Sequence, residues 1–174
     1  MMGDTQLNAA EIKIGVVGLG LMGCSITTCL LMAGHPVVAV APVSVDLTFA
    51  LKRITKHLQR SRREKLVTQA PDFYLQHLHI TESYDQLQGC ALVIECTLEN
   101  LDIKKSVYSK IEAVIDKNAL LASNTSAIPI SILQQQTTHP SRFFGLHWAE
   151  PSHTTRFLEV ICGNESDIAK GEYL

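Results

Sequence analysis

"GVVGLGLMG", residues 15–23, is an apolar run that breaks into three glycines, Gly18, Gly20 and Gly23, spaced G-x-G-x-x-G. Alone it is a glycine-rich turn; its neighbours give it meaning. Before it, "IKIGVVG" (12–18) is short, β-branched and not strictly alternating, which predicts a strand buried on both faces. After it, "LMGCSITTCLLMAG" (21–34) predicts a helix ending at Gly34, a residue suited to the left-handed conformation that closes a helix. A strand, this spacing and a helix together predict a dinucleotide cradle. Gly18 permits the tight turn, Gly20 lets a diphosphate approach the backbone, and Gly23 lets helix and strand pack closely. The free amides and positive dipole end of the helix then face the phosphates. Leu21 and Met22, inside the turn, belong to the same predicted cofactor set.

The pattern continues outward. "HPVVAVA" (35–41) predicts a second buried strand, and "VDLTFALKRITKHLQRSRREKL" (45–66) a long amphipathic helix whose basic far end complements its dipole. "APDFYLQHL" (70–78) reads as a short helix or turn, "HITES" (79–83) as a short strand and "ALVIECT" (91–97) as a strongly apolar one. "LDIKKSVYSKIEAVI" (101–115) has helical spacing of its apolar residues. "ALLASN" (119–124) is a strand, "PISILQQQ" (129–136) a helix with Pro129 near its first turn, and "RFFGLHW" (142–148) and "RFLEVIC" (156–162) two more strands. Strands alternating with helices predict an α/β, Rossmann-type, doubly wound and mostly parallel sheet in a single domain. That domain is expected over residues 12–163, with an N-terminal extension at 1–11 and a loose C-terminal tail at 164–174.

The bulk properties narrow the function. The 174 residues suffice for one packed domain, and the net charge of -2 comes without a polybasic run, so no nucleic-acid partner is expected. The longest apolar stretches contain glycine, proline or histidine and fall short of a membrane span, so no membrane partner is expected either. "MMGDTQLNAAE" lacks the pattern of a secretion signal. The five cysteines form no C-x-x-C pair. They predict no metal site, and read as small buried hydrophobes in a reducing, cytoplasmic setting.

The adenosine end of the cradle is unusual. A carboxylate at the end of the second strand ordinarily grips the adenosine ribose, but Ala41 and Pro42 stand there. Asp46 lies beyond the strand end, where it suits a helix cap. NAD is the expected cofactor. NADP is the alternative, since no carboxylate repels a 2′-phosphate, although no arginine follows Ala41 directly.

A second constellation lies further on. "LLASNTSAIPIS" (120–131) puts Ser123, Asn124, Thr125 and Ser126 at the carboxyl end of an apolar strand, the edge where such sheets bind ligands. An ordinary turn and helix cap would use the same residues. His147, in "GLHWAEP", stands at another strand end, and Glu159 follows in the apolar "RFLEVIC", where a carboxylate is costly to bury unless paired. A carboxylate that holds one imidazole nitrogen fixes the tautomer and raises the basicity of the other, which is what a general base requires. His153, in "EPSHTTR", is expected in a surface loop, the alternative being a substrate carboxylate held with Arg156.

These segments resemble the L-3-hydroxyacyl-CoA dehydrogenase family. "GVVGLGLMGCSI", "AGHPVV", "LVIECTLENLDIKK", "LLASNTSAIPIS", "FFGLHWAEP" and "FLEVICG" keep the family's order and spacing from about residue 12 to 163. The resemblance implies hydride transfer between a nicotinamide and a 3-hydroxyacyl carbon. His147 would be the catalytic base, Glu159 its orienting partner and Ser126 a contact to substrate hydroxyl and cofactor. Asn124, Glu99 and Lys104 match residues that line the cofactor or its surroundings.

Three departures stand out. Ala41 replaces the ribose-binding aspartate, and Glu150 replaces the asparagine of the family's H-x-x-N-P near the nicotinamide. Family enzymes also continue into a helical domain that completes the acyl-CoA cleft and forms the dimer, whereas this chain stops soon after "CGNESD". A homodimer, or a partner chain supplying that domain, is therefore expected, together with an acyl-CoA or hydroxy-acid substrate. Two other readings stay open. One is a short β-hydroxyacid dehydrogenase, for which "GLGLMG" is also typical. The other is a non-catalytic nucleotide- or partner-binding domain.

Overall fold

The computed structural model describes residues 8–155 and 157–174. Seven strands form one sheet in the order β3-β2-β1-β4-β5-β6-β7. They are β1 (Ile14–Val17), β2 (Val37–Val40), β3 (Leu78–Thr81), β4 (Leu92–Glu95), β5 (Leu120–Ser123), β6 (Phe143–Trp148) and β7 (Leu158–Cys162). The first six run parallel, and β7 returns antiparallel to β6. Strand order reverses between β1 and β4, which opens a crevice outside their carboxyl ends. This is the doubly wound α/β sheet expected from the alternation of elements.

Period-two alternation within each short strand feeds two cores. Val16, Ala39, Ile94, Ala122 and Phe144 face one side. There they meet α1 (Leu21–Ala33) and α2 (Ser44–Arg63) through Ile26, Leu30, Ile54 and Leu58. Val17, Val38, Val40, Val93 and Leu121 face the other side. They meet α4 (Leu101–Glu112) and α5 (Ile130–Gln134) through Val107, Ile111 and Leu133. A short α3 (Pro71–Leu75) leads into β3, and α6 (Ser152–Thr155) links β6 to β7. Full burial of a valine or leucine side chain stabilises by about 1.5–3 kcal/mol, so the two faces together hold the sheet between its helices.

Three expectations are corrected here. Asp46 does not cap α2: Val43 occupies the cap, and Asp46 lies in the first turn, 3.9 Å from Arg53. The residues after Cys162 are not loose. α7 (Ile168–Gly171) packs on β7, Ser166 donates to the Phe143 carbonyl, and Leu174 joins the core. Cys162 is exposed rather than buried, because β7 is an edge strand whose five residues are all exposed. Residues 1–7 of the expected N-terminal extension lie outside the described residues.

Candidate active site

The glycine turn is built as its spacing requires. Gly18 has φ +97°, in the left-handed region, and a Cβ there would stand 2.8 Å from the Cys96 backbone. A Cβ on Gly23 would collide with the Gly18 carbonyl, so β1 and α1 meet backbone to backbone. Gly20 caps α1 and has nothing within 4 Å of where its Cβ would be. The first turn of α1 carries no acidic side chain. An open glycine at the amino end of a 13-residue helix fits a diphosphate. Leu21 is 61% exposed at the rim and Met22 is half-buried.

Ala41 is different. It continues β2 with its amide donating to the Thr81 carbonyl, and it is buried. Its side chain offers a ribose no polar atom, so the chain fits the diphosphate of a dinucleotide but lacks the usual carboxylate anchor for its ribose. Asp46, early in α2, lies 3.9 Å from Arg53, whose guanidinium donates to the Leu19 carbonyl in the glycine turn at 3.3 Å.

The second constellation closes around His147. Residues 147 and 159 stand directly opposite in the antiparallel β6–β7 register. His147 Nδ1 lies 2.6 Å from Glu159 Oε2, and Nε2 lies 3.1 Å from Ser126 Oγ. The carboxylate accepts from Nδ1–H, which leaves Nε2 as the acceptor facing the serine hydroxyl. Glu159 is half-exposed, so the burial cost expected from its apolar neighbours does not arise. Register, not desolvation, makes this pair. An open cavity of about 300 Å³ is lined by Ser126, Ala127, Ile128, His147, Glu159 and Ile161, among others.

Loop 124–128 is held from beneath. Glu99 Oε1 accepts from the amides of Ser126 and Ala127, each at 3.2 Å, and from the Thr125 hydroxyl. Burial pushes Glu99 up, but the Thr125 hydroxyl, the Lys104 ammonium and the Ala127 amide outweigh it and hold the carboxyl below its ordinary value. Asn124 Oδ1 accepts from the Trp148 amide at 2.9 Å, tying the end of β5 to the end of β6.

Lys104 lies beneath the loop, behind Glu99. It is 1% exposed, with its ammonium 2.9 Å from both Glu95 oxygens and 3.2 Å from Glu99 Oε2. Its one partner with substantial exposure is Glu99. Glu95, at the end of β4, is the residue that sequence reasoning missed; it is wholly buried. A glutamate ending an apolar strand, with a lysine early in the next helix, was the available signal. Removing one partner of such a buried pair costs about 3–5 kcal/mol.

His153 is also corrected. It is 2% exposed, because α6 turns it beneath α1. Its Nδ1 lies 3.0 Å from Ser25 Oγ, and its ring stacks on His57 at 4.4 Å. It is not a surface ligand for a substrate, and Arg156 lies outside the described residues. Glu150 is exposed, three residues past His147, and its charge reaches His57 and Arg60.

Comparisons with known proteins show the family. The family described as 3-hydroxyacyl-CoA dehydrogenase, NAD binding domain, matches residues 13–170. The chain is 35% identical over 162 residues to 3-hydroxybutyryl-CoA dehydrogenase of Bradyrhizobium diazoefficiens, covering 92% of this chain and 55% of that protein. It is 34% identical over 149 residues to the peroxisomal bifunctional enzyme of Homo sapiens, covering 86% of this chain and 20% of that protein. The crystal structure of (S)-3-hydroxybutyryl-CoA dehydrogenase from Ralstonia eutropha superposes with a TM-score of 0.87 at 28% identity, over 92% of this chain and 57% of that one. The chain thus spans about half the length of the bacterial relatives it matches.

Proposed function

The chain belongs to the family of 3-hydroxyacyl-CoA dehydrogenase NAD-binding domains, and from that premise we propose that it carries the cofactor and acid–base half of a 3-hydroxyacyl-CoA dehydrogenase site. The observation that supports this most directly is His147 held between Glu159 at 2.6 Å and Ser126 at 3.1 Å, beside an open cavity.

NAD, when bound, supplies the hydride acceptor. Gly18, Gly20 and Gly23 with the first amides of α1 would hold its diphosphate. The chain's own residues do the rest. Ser126 Oγ and His147 Nε2 mark the place of a substrate 3-hydroxyl, within reach of both atoms. Nε2 takes the hydroxyl proton as the carbon gives up hydride, and the Glu159 carboxylate stabilises the imidazolium through Nδ1–H. In the reverse direction the same imidazolium returns the proton to the forming alcohol. General acid–base assistance of this kind contributes about 10²–10⁴-fold. For the compartment we keep a reducing, cytoplasmic setting, supported by the buried, free thiols of Cys24 and Cys90.

The test has two steps. Purified chain is titrated with NADH and NADPH, then assayed for NADH oxidation with acetoacetyl-CoA. NADH binding with turnover is expected. No binding of either cofactor at millimolar concentration would reject the cofactor site. Binding without turnover would favour the nucleotide-binding reading that Ala41 and Glu150 motivate. A panel of free 3-hydroxy acids against their CoA thioesters separates a short β-hydroxyacid dehydrogenase from the acyl-CoA enzyme.

A further inference from the structure

Five groups donate to the buried carboxylate of Glu95. Oε1 accepts from the Thr97 amide and hydroxyl, each at 2.6 Å, and Oε2 accepts from Tyr108 at 3.0 Å and Ser123 at 2.7 Å. Lys104 bridges both oxygens at 2.9 Å. Those donors come from the loop after β4, from α4 and from β5, so one side chain pins three elements at the mouth of the crevice. None of them is exposed, and none touches His147.

A buried ion pair of this kind is often replaceable by apolar residues without loss of stability. Its shape suggests a different use. The Lys104 ammonium also reaches Glu99 Oε2 at 3.2 Å, and Glu99 is more than a third exposed. An exposed glutamate samples several rotamers and loses that freedom only when held. Here the hold comes from a buried ammonium that is itself fixed by Glu95. Glu99 then aims Oε1 at the amides of Ser126 and Ala127. Ser126 aims its hydroxyl at His147.

Without Glu95 the flexible ammonium would have a single carboxylate to satisfy it. It would draw Glu99 inward, off the two amides. We infer that Glu95 is a positioning residue for Ser126, acting through Lys104 and Glu99 on the serine that meets His147. Only the consequence for turnover rests on the dehydrogenase reading; the consequence for the loop does not.

The test compares Glu95→Gln, the double variant Glu95→Gln/Lys104→Met, and the unaltered chain. The glutamine keeps the shape of Glu95 and one acceptor oxygen, but leaves the Lys104 ammonium with Glu99 as its one carboxylate partner. The double variant removes both charges. Melting temperature, hydrogen exchange at the Ser126 and Ala127 amides, and turnover are read for each. The double variant is expected to melt near the unaltered chain while the two amides exchange about tenfold faster. Its kcat should fall about tenfold, with KM for NADH changed by less than about twofold.

Unchanged exchange in the double variant, or a kcat that recovers along with melting temperature, overturns the inference and leaves Glu95 a structural residue. Should neither variant fold, Tyr108→Phe removes one donor to Glu95 and keeps its ring on Phe143. The same two amides must then exchange about threefold faster, and unchanged protection overturns the inference. An unaltered chain that shows protected amides and no turnover rejects the dehydrogenase reading while this inference stands. Unprotected amides in the unaltered chain sink this inference and leave the other.

Discussion

His147 and Glu159 are cross-strand partners, paired residue to residue in the antiparallel ladder between β6 and β7, with Nδ1 and Oε2 2.6 Å apart. The return of an edge strand therefore sets the tautomer of His147. A β7 strand slipped by one residue would turn Glu159 to the opposite face and leave Nδ1 without its acceptor.

Glu159→Gln tests that pairing. The neutral amide removes the charge that stabilises the imidazolium, and a charge-assisted hydrogen bond is worth roughly 1.5–3 kcal/mol, or about ten- to a hundredfold. Glu159 is half-exposed, so solvent screens the interaction and the lower end applies. The expected result is a kcat about tenfold lower, a larger loss at low salt and no change in melting temperature. Steady-state rates at two ionic strengths, alongside a thermal melt, check it. A fall in melting temperature that accounts for the lost rate would show Glu159 to be structural.

The glycine turn gives a paired prediction. Gly23→Ala forces a methyl into the Gly18 carbonyl, backbone that cannot rotate away. Overpacking costs about 3 kcal/mol or more in such a place, which lowers the melting temperature by roughly 6–12 °C in a domain of this size. Gly20→Ala meets open space and costs well under about 1 kcal/mol. Its methyl instead occupies the approach of a diphosphate. NADH affinity should fall about tenfold or more while the melt is unchanged. Equal NADH affinity in Gly20→Ala would place the cofactor elsewhere.

The contrast between these sites shows what a linear chain discloses. The glycine turn and the alternation of strands and helices were legible because both depend on local spacing, and Ser126, His147 and Glu159 because each falls at a strand end or follows one closely. Glu95 was not legible. Its donors lie at 97, 104, 108 and 123, and a lone carboxylate after an apolar run reads as the end of a strand. Burial was misread at two places for opposite reasons. Glu159 sits in an apolar segment that is exposed because β7 closes the sheet edge. His153 sits in a polar segment that is buried because α6 packs against α1 and α2. Composition reports the average environment of a segment, whereas an edge or a helix contact decides the actual one.

Ala41→Asp should restore a ribose anchor, at a cost the sequence does not show. Ala41 is 1% exposed, so a carboxylate there loses water before any ligand arrives. An unsatisfied buried group costs about 1–3 kcal/mol, which lowers the melting temperature of the free chain by roughly 2–12 °C. Bound NAD offers the ribose hydroxyls as donors and recovers that loss. Thermal shift with and without NAD should show a less stable free chain with a larger NAD-induced rise. Affinity for NAD should tighten about tenfold, and affinity for NADP should weaken. No change in NAD affinity would mean that the ribose lies away from the end of β2.

The buried histidine predicts acid sensitivity of the fold. Burial, followed by the neighbouring His57 and Arg60 charges, pushes His153 down to about 4 from an ordinary 6.5, with Glu64 opposing weakly. His57 is lowered as well, by burial first, against the raising effect of Glu150. Between pH 6.5 and about 4 the unfolded chain binds a proton at position 153 that the folded chain refuses. Unfolding then takes up protons, so stability is complete above pH 6.5 and declines as the pH falls through that window. Protonation of both His153 and His57 would also place two cations in one stack, 4.4 Å apart. His153→Gln keeps a polar group near Ser25 and removes the titration. Its melting temperature should fall less steeply between pH 6.5 and 4 than that of the unaltered chain, with the residual slope set by His57 and the carboxylates. Melts at half-unit steps across the window check this, and parallel curves for the two proteins would show that His153 carries no part of the acid response.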